Sequence, residues 1–214
     1  MIPIAALQAL LTDDLEGVPP GEDLCALDEA LIELGVRASV TALDPAAVDK
    51  AIAAAYSTGA TPEQIQEVVT LVSGLGVHSL MVTAPLILEQ GLAAGVLDAG
   101  PLDAARQEIW RRHVKGSYWQ RFDREVPGFL ESLLRLSPAA FEGFFAYCAL
   151  PFITRSLPAV TTELIALATD VTPSHVFPPG ARLHISNARR LGAGTRAIAR
   201  TLAIAATVPE PPCR

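Results

Sequence analysis

The chain has 214 residues, with 16 Lys and Arg against 23 Asp and Glu, a formal net charge of −7 and a pI near 5.1. Half of the residues are apolar but only 6% are aromatic, and the mean hydropathy is +0.36. An acidic balance of this kind argues against a nucleic-acid partner, which needs a clustered positive face, while the length supplies one large domain or two small ones with ample core.

The N-terminal stretch MIPIAALQALLTDDLEG starts apolar but has no basic n-region and no small-residue cleavage site before Asp13 and Asp14, so it does not read as a signal peptide. Thr12 to Gly21 reads as an acidic turn ending in Pro19-Pro20-Gly21, and helical apolar spacing follows from Leu24 to Leu34. Asp44 is placed to cap the next helix, with Pro45 at its first position, and that helix runs from Ala46 to Ser57 before Gly59 ends it. Thr61 with Gln64 three residues on marks a third start.

This third helix leads into Val68 to Leu88, VVTLVSGLGVHSLMVTAPLIL, an uncharged run of transmembrane length. Gly74, Gly76, His78 and Pro85 interrupt it, and Glu67 and Glu89 flank it where a membrane segment carries Lys or Arg. The expectation is a doubly buried helix, covered once by its own domain and once by a second subunit, with no membrane contact. Gly91 to Gly100, followed by Pro101, reads as a boundary. Beyond it comes a polar helix near Asp103 to Val114. The basic residues from Arg106 to Lys115 are interrupted by Glu108 and followed by Asp123 and Glu125, which reads as a solvated face. A KGSYW turn at Lys115 to Trp119 precedes helical segments near Gly128 to Leu134 and Pro138 to Leu150.

No convincing alternating strand appears, and the fold class is all-α. Cys25, Cys148 and Cys213 are isolated and odd in number, with no metal or redox spacing, which points to a reducing cytoplasm.

Thr162 to Thr195 carries the chemistry. Glu163 lies beside the apolar face made by Leu164, Ile165, Leu167 and Ala168, His175 falls in a connection, and His184 shares its side of the next helix with Ala188 and Leu191. If the two helices pack together, Glu163 meets His184, fixes the imidazole tautomer and favours its protonated form. The same residues also read as a core histidine with a hydrogen-bond partner. His175, after Thr172-Pro173-Ser174, also reads as a loop or capping residue.

The chain also resembles itself. An offset of 133 residues places Ala30 on Glu163 and Gly59 on Gly192 without a gap, and Leu31, Ile32, Leu34, Pro45, Ile52, Ala55, Gly59, Ala60 and Ile65 then meet identical residues. At the positions of Glu163, His175 and His184 the first copy has Ala30, Ala42 and Ala51. Packing residues are kept while polar ones are lost, so the first half reads as scaffold and the second as the working half.

An ELIALA helix, a connection, a helix with an inward His, a Gly-Ala turn and a capped third helix, in that order, resemble the carboxymuconolactone decarboxylase and alkylhydroperoxidase D-like superfamily. GATPEQIQEVV at Gly59 to Val69 is similar to the repeat of that family, and KGSYW to a linker of its two-repeat members. The resemblance covers roughly residues 25 to 90 and 138 to 206. It implies an all-α fold of tandem alkylhydroperoxidase D-like repeats, assembled as a homo-oligomer. The division it implies is 1–98 for a degenerate first repeat, 99–137 for a helical linker and 138–214 for the repeat that carries the site.

The peroxidase branch of that superfamily has an acid, a cysteine pair and a histidine. Here Glu163 matches the acid, His175 and Pro178 stand in place of the cysteines, and His184 matches the histidine after a short extension of the connection. A thiolate must attack a peroxide and a second thiol must resolve the sulfenic acid, so the chain resembles the decarboxylase branch more closely. The implied activity is that of a cofactor-independent lyase doing acid-base chemistry on a small carboxylated or lactone substrate. His184 would protonate the enolate-like carbon left by carbon dioxide loss, Glu163 would orient it, and His175 would bind a substrate oxygen. Arg182 is a candidate anchor for a substrate carboxylate, His78 a candidate from the first half, and Tyr118 and Trp119 candidate covers of the pocket. For His78 a core or interface position, and for the two aromatics packing within the linker, are the competing readings.

No metal and no cofactor are expected. The alternatives are an alkylhydroperoxidase-like oxidoreductase, a two-His-one-carboxylate metal site from Glu163, His175 and His184, and a non-catalytic scaffold.

Overall fold

The structure is a computed structural model that describes residues 15–209; residues 1–14 of the N-terminal segment read for a signal peptide, and Cys213, lie outside the described residues. By contact the chain forms two compact units, one made of the residues up to Leu75 and from Leu150 onward, the other of Gly76–Ala149. This grouping by contact cuts the chain elsewhere than the division at 98/99 and 137/138 that the resemblance implies, because it follows packing rather than repeat limits.

The first unit opens with α1 (Ala26–Ala38), α2 (Pro45–Ser57) and α3 (Pro62–Ser73). Their starts follow from local chemistry. Cys25 accepts from the Asp28 amide, and Asp44 accepts from the Ala46 amide at 2.9 Å ahead of Pro45. Thr61 and Gln64 form the reciprocal capping box anticipated from their spacing, at 3.2 and 3.0 Å. After the second unit the chain returns through α9 (Leu150–Thr154), numbered in chain order, to α10 (Ala159–Asp170), α11 (Pro178–Arg190) and α12 (Thr195–Ala205). Between α10 and α11 lies a departure from the all-helical expectation, a two-residue hairpin of β1 (Val171–Thr172) and β2 (His175–Val176). Pro173-Ser174 make its turn, and arms this short carry no alternating pattern to read.

The 133-residue offset recurs in these limits. It takes Ala26 to Ala159, Pro45 to Pro178 and Pro62 to Thr195, and Ser57 to Arg190. The turns correspond as well: Gly59 (φ 93°) lets the Ala60 amide reach Ala55 O at 3.0 Å, and Gly192 (φ 100°) lets Ala193 reach Ala188 O at 2.9 Å. The third helix is capped differently in the two halves. Gly194 has no side chain to cap α12, so the Thr195 and Arg196 amides donate to Pro19 O and Pro20 O at 3.0 and 3.1 Å.

α10 packs against α11, α1, α12 and α3, and α1 against α2, α10, α3 and α12. The two corresponding helices therefore form the centre of the unit. They approach at Gly35, where a Cβ would lie 2.7 Å from the Ile165 side chain. The core is aliphatic, with Leu31, Ile32, Leu34, Val68, Leu164, Ile165, Leu167 and Ile198 buried.

The second unit holds α4 (Val77–Ala93), α5 (Ala104–His113), α6 (Ser117–Glu125), α7 (Phe129–Leu136) and α8 (Pro138–Cys148). KGSYW is a turn only at Lys115-Gly116, since Gly116 (φ 82°) leads directly into α6. The basic cluster of α5 is paired with acids, Arg106 with Asp103, Arg111 with Glu108 at 2.8 Å and Arg112 with Glu142 at 3.2 Å, as a solvated face requires.

The run from Val68 to Leu88 is not one continuous helix. A 3₁₀ turn at Gly74–Gly76 divides it, with Val68 and Val72 in the core of the first unit. In α4 only Ala84 is buried, while Val82, Leu86 and Ile87 are more than half exposed. The stretch Pro62–Ala93 is long and apolar enough, by length and composition, to cross a membrane.

Candidate functional site

Ten consecutive residues of α10, Thr161 to Asp170, are buried. The helix tolerates this because its hydroxyls turn back onto its own carbonyls: Thr169 donates to Ala166 O at 2.9 Å, and Thr162 to Pro158 O at 3.3 Å. Glu163 and Asp170 have no such local solution. Seven residues apart, they lie two turns along one side of the helix, and that side faces α11.

There His184 meets Glu163, with Nδ1 2.7 Å from Oε2. Asn187, one turn further along α11, donates its amide to both Glu163 oxygens at 3.3 Å. The carboxylate is thereby held from two directions by one helix. The other ring nitrogen of His184, Nε2, lies 3.8 Å from Asp170 Oδ2, close enough for charge interaction but beyond hydrogen bonding. His184 thus has a carboxyl group at each end of its ring.

Burial disfavours a charged imidazole, yet the Glu163 hydrogen bond and the charges of Glu163 and Asp170 outweigh it, and the pKa of His184 is raised. Burial pushes the Asp170 carboxyl up to about 7 against the opposing pull of His184. The side chain of His184 keeps 14% of its surface exposed, so part of the ring is open while both carboxyl groups are covered.

Gly180 sets the spacing at the start of α11, because a Cβ there would collide with the Asp170 carboxyl and lie 2.8 Å from the Phe177 ring. The Phe177 amide in turn donates to Asp170 O at 2.9 Å, fixing the hairpin exit to the end of α10.

His175 stands on β2, half-buried, with a ring nitrogen within 4.8 Å of an Asp170 oxygen and its ring 6.3 Å from that of Phe177. Burial lowers its pKa, so it is the neutral histidine of the pair. The partners of His184 are Glu163 and Asp170 rather than His175. Of the proposed metal trio of Glu163, His175 and His184, the first and last are joined directly, so Nδ1 of His184 is already committed to Glu163.

Arg182 is half-buried on α11. His78, Tyr118 and Trp119 belong to the second unit, where Trp119 packs within 4.5 to 6.0 Å of Phe122, Phe144 and Phe145. Asp170 and Asn187 were not singled out from the sequence. Their spacing was available as a signal, seven residues after Glu163 and three after His184.

The fold is the all-α fold of the carboxymuconolactone decarboxylase type. A solved structure from Burkholderia xenovorans LB400, provisionally named a gamma-carboxymuconolactone decarboxylase subunit, is similar to this chain at 29% identity and a TM-score of 0.73, over 94% of this chain and 76% of that one. No family model matches the chain, and no curated protein matches it.

Proposed function

We propose that this chain is a tandem-repeat member of the carboxymuconolactone decarboxylase-like proteins and acts as a cofactor-independent lyase on a small carboxylated or lactone substrate. The observation that carries this reading is the buried Glu163–His184 pair, 2.7 Å apart, with the histidine favoured in its protonated form. When carbon dioxide leaves, an electron pair remains on carbon conjugated to a carbonyl. An imidazolium at its edge quenches that pair, and general acid catalysis of this kind contributes about 10²–10⁴-fold. Glu163 fixes the ring through Nδ1 and leaves Nε2 to do the transfer.

A thiol peroxidase is less well supported by the cysteines of the described residues. Cys25 is exposed and caps α1, and burial pushes the Cys148 thiol up to about 11, which leaves little thiolate.

The test is turnover of γ-carboxymuconolactone, followed by carbon dioxide release, in wild-type protein and in His184→Ala. The expected result is a loss of about 10²-fold or more with an unchanged circular dichroism spectrum. Equal turnover in the two proteins would remove His184 from the chemistry.

A further inference from the structure

The acid-base reading leaves one buried titratable group beside His184 without a task, the carboxyl of Asp170. We propose that Asp170 is a positioning residue that holds a second proton beside His184 and returns it to the ring after each turnover. The inference rests on His184 as the acid of the proposed lyase reaction.

Proton balance makes such a group necessary. Loss of carbon dioxide from a carboxylate breaks one carbon–carbon bond, leaves the electron pair on carbon and consumes one proton. His184 supplies that proton from Nε2 and becomes a neutral imidazole, its Nδ1–H still held by Glu163 at 2.7 Å. While the product covers the open part of the ring, solvent cannot restore that proton directly. The acid next to the emptied Nε2 is Asp170, with Oδ2 3.8 Å away. Once the two groups close from 3.8 Å to hydrogen-bond distance, the carboxyl gives its O–H proton to Nε2 and becomes a carboxylate beside the restored imidazolium; when the product has left, the ring passes that proton back to Asp170 and takes another at Nε2 from solvent hydronium.

The surroundings suit a stored proton. Asp170 is 2% exposed, so it cannot touch a substrate and acts only through His184. Glu163, His184 and Asp170 lie in one buried cluster. With Glu163 and Asp170 both ionised around an imidazolium the cluster would carry net negative charge, whereas with Asp170 protonated it is neutral. That the Asp170 carboxyl is raised to about 7 agrees with this state. Within its own unit the titratable groups facing the pair are Glu163 from α10 and His175 from β2, and His175 is held toward its neutral form by burial. Gly180 keeps the carboxyl close to α11, since any side chain there would displace it.

The test begins with the substrate-free full chain. His184 is followed by its ring Cε1–H resonance through a pH titration of wild type and Asp170→Asn. In wild type the resonance should inflect twice, once for the ring and once for its neighbour. In the variant one inflection should vanish and the ring midpoint should fall by about half a unit or more. A wild-type titration curve in Asp170→Asn overturns the proposal and leaves the role of His184 untouched. Infrared spectra of unsubstituted protein carrying labelled aspartate provide a second measurement that does not depend on the variant folding. A protonated-carboxyl band at neutral pH that disappears at about pH 9 is expected, and its absence overturns the proposal.

With γ-carboxymuconolactone, Asp170→Asn should still complete a first turnover and then slow about tenfold relative to that turnover, with KM within about twofold. Loss of the first turnover as well would place Asp170 in fold maintenance and overturn its storage role. Failure of the lyase reading itself would instead show as unchanged turnover in His184→Ala.

Discussion

The His184 ring is a group whose chemistry is set by what lies at its two nitrogens, and single-residue changes should separate those influences. Gly180→Ala is expected to cost about 1–3 kcal/mol, read in a denaturant titration, because the added methyl overlaps the Asp170 carboxyl and the Phe177 ring. Asp170 also leaves a mark on stability. Its folded pKa lies above its ordinary value, so the folded state binds more protons than the unfolded state between about pH 4 and pH 7. Stability is therefore lost as pH rises through that window. Asp170→Asn should gain on wild type over the same range, and thermal melts at pH values on either side of it would show the crossing. Glu163 and His184 were legible in the sequence because both sit beside apolar helical stripes. Asp170 and Asn187 were not, because Asp170 ends its helix where an acid reads as a capping or turn residue, and Asn187 stands among polar neighbours, Ser186, Arg189 and Arg190. The helical spacing of both residues placed them on the right faces, but only the contact across two helices, such as Asn187 to Glu163 at 3.3 Å, gives that spacing a meaning.

At the level of elements, α10 is aimed by a carboxylate on α3. Glu67 is 5% exposed and accepts from Thr154 Oγ1 at 2.6 Å and from the Ser156 and Leu157 amides at 3.0 and 3.1 Å, gripping the segment that enters α10. Burial works to raise its pKa, but these hydrogen bonds win and lower it. Glu67→Ala would leave two amides without their acceptor and should cost about 2–4 kcal/mol at neutral pH. A lowered carboxyl contributes its stability above the unfolded value and loses it as pH falls through the folded value. The gap between wild type and variant should therefore close in acid, below about pH 4, in paired unfolding curves. A gap independent of pH would assign the effect to packing. Glu67 had been read from the sequence as a flank of an apolar run, when its carboxylate is in fact turned inward. The caps of α2 and α3 were legible because Asp44, Pro45, Thr61 and Gln64 act on residues two or three away. The start of α12 was less so, because its amides are satisfied by Pro19 and Pro20, some 175 residues distant in the chain.

Over the whole molecule, the central helices α1 and α10 meet around an approximate two-fold relation within the first unit. Thr161 donates to Asp28 at 2.8 Å and Ser174 to Thr41 at 3.2 Å, and each pair is separated by the same 133 residues that relate the helix limits. Equivalent residues touch one another only near such an axis, as in an isologous interface between subunits. The correspondence is one of helix limits and turns, and it fails where Glu163, Asp170, His184 and Asn187 stand at the positions of Ala30, Arg37, Ala51 and Ala54. That failure has a physical consequence. Ala51 is 6% exposed within a tightly filled aliphatic core, so the first half has closed over the volume that the second half gives to an imidazole and its carboxyl partners. Ala51→His should therefore cost about 1–3 kcal/mol through overpacking, with a further penalty for a ring that lacks a buried acceptor. Adding Ala30→Glu should not recover the loss, because Arg37 and Ala54 cannot replace the supports that Asp170 and Asn187 give in the other half. A double-mutant cycle read by denaturant unfolding checks this. Coupling near zero between the two substitutions is expected, whereas a favourable coupling of about 2 kcal/mol or more would mean that the first half still holds the outline of a second site.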